Sequence, residues 1–320
     1  MQHRRLGSSG LVVSRMGLGT WLWGDDTDEH EARDQLAAFV DAGGTLIDTA
    51  AGYGDGASER LLGRLLREVV PADDMVVATK AGLGSRRGRR GPDTSRGGLL
   101  RQLDGSLHRL GVDHVDLWQL HVWCDDVPWE ETLTALDHAL ATGRTRYVGV
   151  SNYAGWQTGL VHAWQRSGPG RAAIVSTQVE YSLLNRSVEH EILPAAGALG
   201  IGVLAWSPLG RGVLTGKYRT GTPADSRAAS PHLESNVATY LDDESRGIVE
   251  AVVRAAEGLS LTPAEVALAW VRDRPDVTAA IVGARTAAQL RDTLGAEDVE
   301  LPAEIVTALD DVSREGADAP

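Results

Sequence analysis

Short apolar runs rich in β-branched residues recur along the 320 residues: SRMGLGT from Ser14, TLIDTA from Thr45, MVVATK from Met75, VDLWQLH from Val115, YVGVSN from Tyr147, IVSTQVE from Ile174, GVLAWSP from Gly202 and AAIVGA from Ala279. Between them the apolar spacing lengthens to the helical period. Ala32, Leu36, Phe39 and Val40 form one stripe that stops at Gly43, and Leu61, Leu62, Leu65 and Leu66 form a second. Leu99, Leu100, Leu103 and Leu107 form a third, and Leu133, Leu136 and Leu140 a fourth. The strand runs are apolar on both faces, which suits a parallel sheet covered by helices. Eight such units in alternation, with no linker between them, predict an α/β fold in which one closed (β/α)8 barrel spans residues 1–320 as a single domain.

Two stretches stand outside the alternation. GRGVLTGKYRTGTPADSRAASPHLESNVATY, from Gly210 to Tyr240, is too long for an ordinary strand-to-helix connection and reads as a functional lid or cofactor clasp. LPAEIVTALDDVSRE, from Leu301, reads as an extra amphipathic helix after the last barrel unit, with GADAP as a frayed end.

The pattern also directs attention to the strand ends. In barrels of this class the C-terminal ends of the strands form the active-site face, and here they are polar: Asp48, Lys80, His121, Ser151 with Asn152, Gln178 with Glu180, and Trp206 with Ser207. Tyr53 follows the second run and is set among Gly52, Gly54 and Gly56. Gly52, Gly54 and Ala57 fit the spacing of a dinucleotide fingerprint, but that motif belongs to the first strand-to-helix turn of an open sheet, and this segment follows an earlier strand and helix. A phenol beside an ammonium and a carboxylate suits general acid catalysis instead. The ammonium would favour the phenolate and make Tyr53 a usable proton donor, Asp48 would hold Lys80, and His121 would donate a hydrogen bond to a carbonyl oxygen.

Composition sharpens this reading at a few points. Of 31 Lys plus Arg, only Lys80 and Lys217 are lysine, so these two become candidates for places where a compact ammonium fits and the planar guanidinium fork does not. A net charge of −13 and a pI near 5.1 argue against nucleic acid or an anionic membrane as partner. MQHRRLGSSGLVV lacks the apolar core of a signal peptide, and no run approaches the roughly 18 apolar residues of a membrane span, which predicts a cytoplasmic protein. Cys124 is the one cysteine, so no internal disulfide is expected. GVLTGKY is one residue short of a phosphate-binding P-loop and carries Tyr218 where Ser or Thr is required. The histidines show no H-E-x-x-H spacing, and no metal site is expected. SRRGRRG, in the stretch 85–91, reads as a solvated loop whose arginines could draw in anionic substrates.

GLGTW, LIDTAAGYGDGASERLLG, ATKAGLG, SLHRLGVDHVDLWQLH, GVSNY, TQVEYSLLNR, AWSPLGRGVLTGKY and IVGARTAAQL occur in this order along nearly the whole chain. In these stretches the sequence resembles the aldo-keto reductases, including their potassium-channel β-subunit branch. The resemblance implies a TIM barrel whose floor is closed by an N-terminal hairpin, MQHRRLGSSGLVVS, and a catalytic tetrad of Asp48, Tyr53, Lys80 and His121. It implies NADP(H) as cofactor, lying across the barrel top without a Rossmann domain. Gly19, Thr20 and Trp21 of GLGTW would border it; Ser151, Asn152 and Gln178 would bind the carboxamide, and Trp206 would lie under the nicotinamide ring. The backbone around Ser207, Pro208, Leu209 and Gly210, with Lys217 and Arg227, matches the pyrophosphate clasp, and Gly283, Arg285, Gln289 and Asp292 match the adenosine end. Thr293 stands where the family often has Asn. Trp21, Trp23 and Trp123 flank strand ends and are expected to line the substrate pocket.

The function expected is NADPH-dependent reduction of a small aldehyde or ketone, with Tyr53 supplying the proton. Two alternatives use other parts of the same pattern: a Schiff-base aldolase acting through Lys80, and a redox-sensing subunit that binds cofactor, turns over slowly and serves a protein partner that the sequence does not name.

Overall fold

The computed structural model describes residues 1–86, 89–224 and 226–314. The chain opens with an antiparallel hairpin, β1 (His3–Arg5) and β2 (Val12–Ser14), in which His3 faces Ser14. The alternation then begins: β3 (Met16–Gly19), α1 (Glu29–Asp41), β4 (Leu46–Asp48), α2 (Ala57–Glu68) and β5 (Val76–Ala81). A second short hairpin, β6 (Leu83–Arg86) and β7 (Arg89–Pro92), precedes α3 (Arg96–Leu110), β8 (Val115–Leu120), α4 (Trp129–Ala141), β9 (Thr145–Ser151), α5 (Gly155–Arg166), β10 (Ile174–Glu180), α6 (Ile192–Leu199) and β11 (Gly202–Trp206). After β11 come α7 (Glu234–Ala238), α8 (Asp243–Leu259), α9 (Pro263–Arg272), β12 (Val277–Val282), α10 (Ala287–Leu294) and α11 (Ala303–Val312).

The strands β3, β4, β5, β8, β9, β10, β11 and β12 pair in parallel and close, with β12 hydrogen-bonded to β3. All eight contain segments of the apolar runs read from the sequence, so the recurrence of those runs between helical stripes was sufficient to find the barrel. Closure divides the core in two. Leu46, Ala78, Leu117, Leu204 and Ala279 point into the barrel, whereas Leu18, Ile47, Val77, Trp118 and Val148 pack outward against the helices. The leucine stripe of α2, Leu61, Leu62, Leu65 and Leu66, is buried in that outer layer as its spacing requires.

The N-terminal hairpin plugs the floor. Leu6, Leu11 and Val13 join the barrel-interior cluster, and Ser8 N donates to Gly200 O at 2.8 Å beside the start of β11. Gly7 adopts φ +57°, and a Cβ there would collide with the Gly200 carbonyl and the Gly202 amide. Arg4 Nη1 donates to Val277 O at 2.9 Å, tying the same hairpin to β12.

The structure departs from the sequence reading in two places. The stretch 85–91, read as a solvated loop, instead contributes to β6 and β7, which pair with Leu83 opposite Pro92 and Gly84 opposite Gly91; Arg87 and Gly88 lie outside the described residues. The long stretch 210–240 carries 3-10 turns at Gly210–Thr215 and Arg227–Ala229 before α7. The C-terminal helix is present as α11, and GADAP lies outside the described residues. Among the described residues no helix is long and apolar enough to cross a membrane.

Because Leu6 is fully buried at the barrel floor, Leu6→Ala should lower the unfolding free energy by about 2–5 kcal/mol, the range for deleting a packed leucine. A shift of the denaturant midpoint measures this, and an unshifted midpoint would show that the floor closes without the hairpin.

Candidate active site

β4 delivers Asp48 to the upper rim, and the backbone then turns sharply through Tyr53–Gly56 into α2. Gly54, Asp55 and Gly56 have φ values of 52°, 48° and 82°, three left-handed residues in succession. Two of the three are glycines because a Cβ makes this region costly, so the glycine-rich setting of Tyr53 is a requirement of the turn's shape. β5 delivers Lys80, which is 1% exposed, and β8 is followed at once by His121.

These four side chains converge. Lys80 Nζ donates to Asp48 Oδ2 at 2.6 Å, to Thr49 O at 2.9 Å and to Tyr53 Oη at 3.2 Å. Asp48 is held at its other oxygen, where Gln178 Nε2 donates to Oδ1 at 2.8 Å. The Tyr53 and His121 rings meet edge to face at 5.9 Å. His121 Nδ1 is buried without a hydrogen-bond partner.

The electrostatics differ from the sequence expectation in one respect. Burial is the largest influence on Tyr53 and raises its pKa; Lys80 pulls the other way, Asp48 adds to the rise, and the net direction is upward. Lys80 therefore moderates the cost of phenolate without making it the resting form, and Tyr53 rests as a protonated donor. Burial alone would lower the Lys80 pKa, but Asp48 and then Tyr53 more than offset it, and the ammonium is retained. Burial, helped by the nearby Lys80 charge, lowers His121 to about 3, so its ring is neutral.

Above these residues lies a cavity of about 730 Å³. Gly19, Trp21, Asp48, Tyr53, His121, Ser151, Asn152, Gln178, Trp206, Ser207, Pro208, Leu209, Lys217, Arg227, Gly283, Arg285, Gln289 and Asp292 all line it. Beside Tyr53 and Asp48 the lining includes His121, Ser151, Asn152, Gln178 and Trp206. Asn152, at φ 58°, accepts from Trp206 Nε1 at 3.1 Å and donates through Nδ2 to His121 O at 3.0 Å, which links the ends of β8, β9 and β11. Ser151 Oγ donates to Gln178 O at 2.9 Å, adding β10. The other end carries cations. Burial lowers the Arg227 pKa, Arg285 pushes the same way, and Tyr218 and Asp26 oppose; the guanidinium lies 5.8 Å from the Trp21 ring.

Some expected positions lie elsewhere. Trp23 does not reach the cavity: it is 1% exposed and donates from Nε1 to Gln35 Oε1 at 3.0 Å, so α1 draws the indole into the core. Trp123 lines a separate small hollow beside Cys124, held by Asp125 at 2.7 Å and by edge-to-face contact with Tyr153. Thr20 is buried beneath the cavity, stitching Asp48 O to Ser58 Oγ, and Lys80 sits behind Tyr53. Gly210, at φ 53°, packs towards Leu184 and is not part of the lining. Glu180, a polar strand end without an assigned task, accepts from Arg211 at 3.0 and 2.8 Å and from Tyr240 at 3.0 Å, tethering the long stretch after β11. Residues not anticipated also line the cavity, including Arg211, Gly212, Thr215, Asn236 and Pro263. The first three sit inside the AWSPLGRGVLTGKY stretch, and Asn236, in α7, belongs to the 210–240 stretch read as a lid or cofactor clasp; Pro263 comes from α9 and carried no sequence signal.

Comparison with known proteins identifies the family. The family model described as the aldo/keto reductase family matches residues 15–314. The chain is 38% identical to a Bacillus subtilis (strain 168) protein named uncharacterized oxidoreductase YrpG, over 98% of this chain and 96% of that protein. It is 36% identical to a probable voltage-gated potassium channel subunit beta of Oryza sativa subsp. japonica, over 93% of this chain and 92% of that one. It is 35% identical to the L-glyceraldehyde 3-phosphate reductase of Escherichia coli O157:H7, over 92% of this chain and 87% of that one. With the match spanning the barrel from its first strand to its last helix, the chain belongs to the aldo/keto reductase family of oxidoreductases.

Proposed function

We propose that this protein reduces an aldehyde or ketone to the alcohol with NADPH, using Tyr53 as proton donor. One observation carries the reading: a buried ammonium at Lys80 joins Asp48 to the Tyr53 hydroxyl on the floor of a large cavity. A protonated phenol, a cation ready for the phenolate it leaves behind, and a neutral imidazole beside it form a set suited to a carbonyl oxygen gaining negative charge.

The lining fits a phosphate-bearing dinucleotide. Burial first and the nearby Arg285 charge second lower the Arg227 pKa, and like charges held together favour an anion between or beside them. Gly212 leaves room over Lys217, since a Cβ there would come within 3.2 Å of Nζ. Gly283 likewise lies close to Gly19 O, at 3.2 Å from a built Cβ, so the cleft wall at that end is backbone. On this reading Ser151, Asn152, Gln178 and Trp206 hold the nicotinamide end, Ser207 to Leu209 with Lys217 and Arg227 hold the diphosphate, and Arg285, Gln289 and Asp292 hold the adenosine end. When bound, the cofactor supplies a hydride to the carbonyl carbon.

The protein's own residues then account for the proton. Tyr53 donates to the carbonyl oxygen, and Lys80, kept cationic by Asp48, stabilises the phenolate. His121, being neutral, orients the oxygen without adding charge. Trp21 lines the cavity and remains exposed. The E. coli relative named for L-glyceraldehyde 3-phosphate reduction supports a carbonyl as substrate. A protein that binds NADPH but leaves a broad panel of aldehydes, ketones, quinones and sugar-derived carbonyls untouched would instead favour the redox-sensing subunit suggested by the channel-subunit relatives.

Tyr53→Phe should cut kcat by about two to four orders of magnitude, the usual contribution of a positioned general acid, with NADPH affinity little changed. NADPH absorbance with a reactive carbonyl measures it, and near-normal turnover would remove Tyr53 from this role.

The pH profile should be nearly flat. His121 takes a proton only as the pH falls to about 3, and Tyr53 loses one only above its ordinary value. The reductive kcat should therefore hold across roughly pH 5–9 and fall on the alkaline side as Tyr53 ionises. A break near neutrality would mean that His121 titrates during turnover.

Arg285→Ala should weaken NADPH by about 1.5–3 kcal/mol, the scale of a hydrogen bond to a charged group, and barely affect NADH. Titration of both cofactors against the variant measures this; equal losses would give Arg285 a structural role, and a wild-type preference for NADH would overturn the NADPH assignment.

A further inference from the structure

Glu59, in the first turn of α2, is a fully buried carboxylate with no part in the proton path above. Its Oε1 accepts from Thr79 Oγ1 at 2.6 Å. Its Oε2 accepts from Arg109 Nε at 2.7 Å and pairs with Nη2 at 2.7 Å. Arg109 comes from the last turn of α3 and is steadied by Ser106 Oγ at 3.3 Å. The arginine side chain lies flat against Gly56, where a Cβ would come within 2.6 Å of Cδ and Nε. One ion pair, its carboxylate fully buried and its guanidinium partly so, thus joins α2, α3 and β5 directly behind the turn that carries Tyr53.

The alternation of a strand gives this contact its meaning. Successive side chains of β5 face opposite sides, so Thr79 points outward to Glu59 while Lys80 points inward to Tyr53. Glu59 also lies three residues beyond Gly56, the end of the turn. The same short piece of backbone that ends in Glu59 begins in Tyr53, and it is clamped to the outer face of the strand whose inner face holds Lys80. Ser58 secures the neighbouring side, donating to Thr20 O at 2.8 Å and lying 3.0 Å from Thr49 Oγ1. Three left-handed residues in succession do not hold such a shape unaided. A buried ion pair is also a poor way to gain stability, because desolvation offsets most of its attraction, whereas its directional bonds fix geometry.

We infer that Glu59, held by Arg109, is a positioning residue that sets the Tyr53 hydroxyl against Lys80 through Thr79 on the outer face of β5 and Gly56 at the end of the turn. The inference rests on Tyr53 being the proton donor.

The test uses Thr79→Val, Glu59→Gln and, as a control on the exposed face of α2, Arg64→Ala, which breaks the surface pair with Glu29. Two readouts are taken: kcat and KM against pH, and an ultraviolet difference titration of the Tyr53 phenol obtained by subtracting Tyr53→Phe. Thr79→Val and Glu59→Gln should each lower kcat about ten- to a hundredfold, the scale of a small misplacement at a reacting centre, with KM and NADPH affinity near wild type. In Thr79→Val, which changes no charge, the phenol should ionise at higher pH than in wild type because the ammonium is less well placed. The control should leave both readouts unchanged.

Wild-type kcat and an unshifted phenol in Thr79→Val would overturn the inference, as would a loss of kcat that only follows loss of folded protein. Should Glu59→Gln not fold, Thr79→Val decides alone. If the wild type reduces no carbonyl, the proposed function fails, while the phenol titration still decides the positioning.

Discussion

The site depends on a buried charge that cannot exist alone. Lys80 sits among strand interiors at 1% exposure, where an ammonium loses its hydration. Asp48 restores enough of that energy to keep it protonated, and Gln178 then satisfies the carboxylate's second oxygen. Removing either partner would leave the other charge buried and uncompensated, at a cost of about 3–5 kcal/mol. The pair therefore binds β4, β5 and β10 together across the barrel, and the phenol reached by Lys80 is aligned by the same atoms that keep the charge in place. Stability and chemistry meet at one contact.

Backbone strain is distributed in keeping with that arrangement. Among the described residues, Asp55, Asn152, Ser207, Arg211 and Ser260 are the non-glycine positions with positive φ, and the first four stand at the cavity face or in the Tyr53 turn. Two of them are held by neighbours: Asn152 by His121 O and Trp206, and Arg211 by Glu180. The opposite face has no comparable burden and is closed by the apolar Leu6, Leu11 and Val13. Strained backbone is affordable only where surrounding bonds over-determine it, and the rim supplies those bonds while the floor supplies burial.

Much of this was legible in the sequence because it is written in short periods. Short runs apolar on both faces, alternating with leucine stripes of helical spacing, found the barrel, and the rule that strand ends carry chemistry led to Asp48, Lys80 and His121. The misplacements share one cause. Trp23 and Trp123 lie near strand ends in the chain, but an indole's direction is decided by whichever partner its N–H reaches, and Gln35 and Asp125 are not strand-end residues. The arginine-rich stretch offered no period at all, yet its flanks pair as β6 and β7. The length of the stretch after β11 marked it as a lid or clasp and so covered Asn236, whereas Pro263 approaches the cavity from α9, a tertiary fact without a local signature. Tyr53 was legible through its glycines, but the net rise in its pKa was not, because burial outweighs the visible charge of its neighbour.

The scarcity of lysine has a consequence for how the surface behaves chemically. With Lys80 sealed behind Tyr53, the one ε-amine open to solvent is Lys217, and it borders the cavity. Acylating reagents, which usually scatter over a protein's exterior and report little about any one place, would find their side-chain target here at the edge of the cleft. The guanidinium-rich exterior is inert to them, so the extent of labelling at Lys217, read apart from the α-amine of Met1, becomes a direct gauge of whether that cleft is occupied.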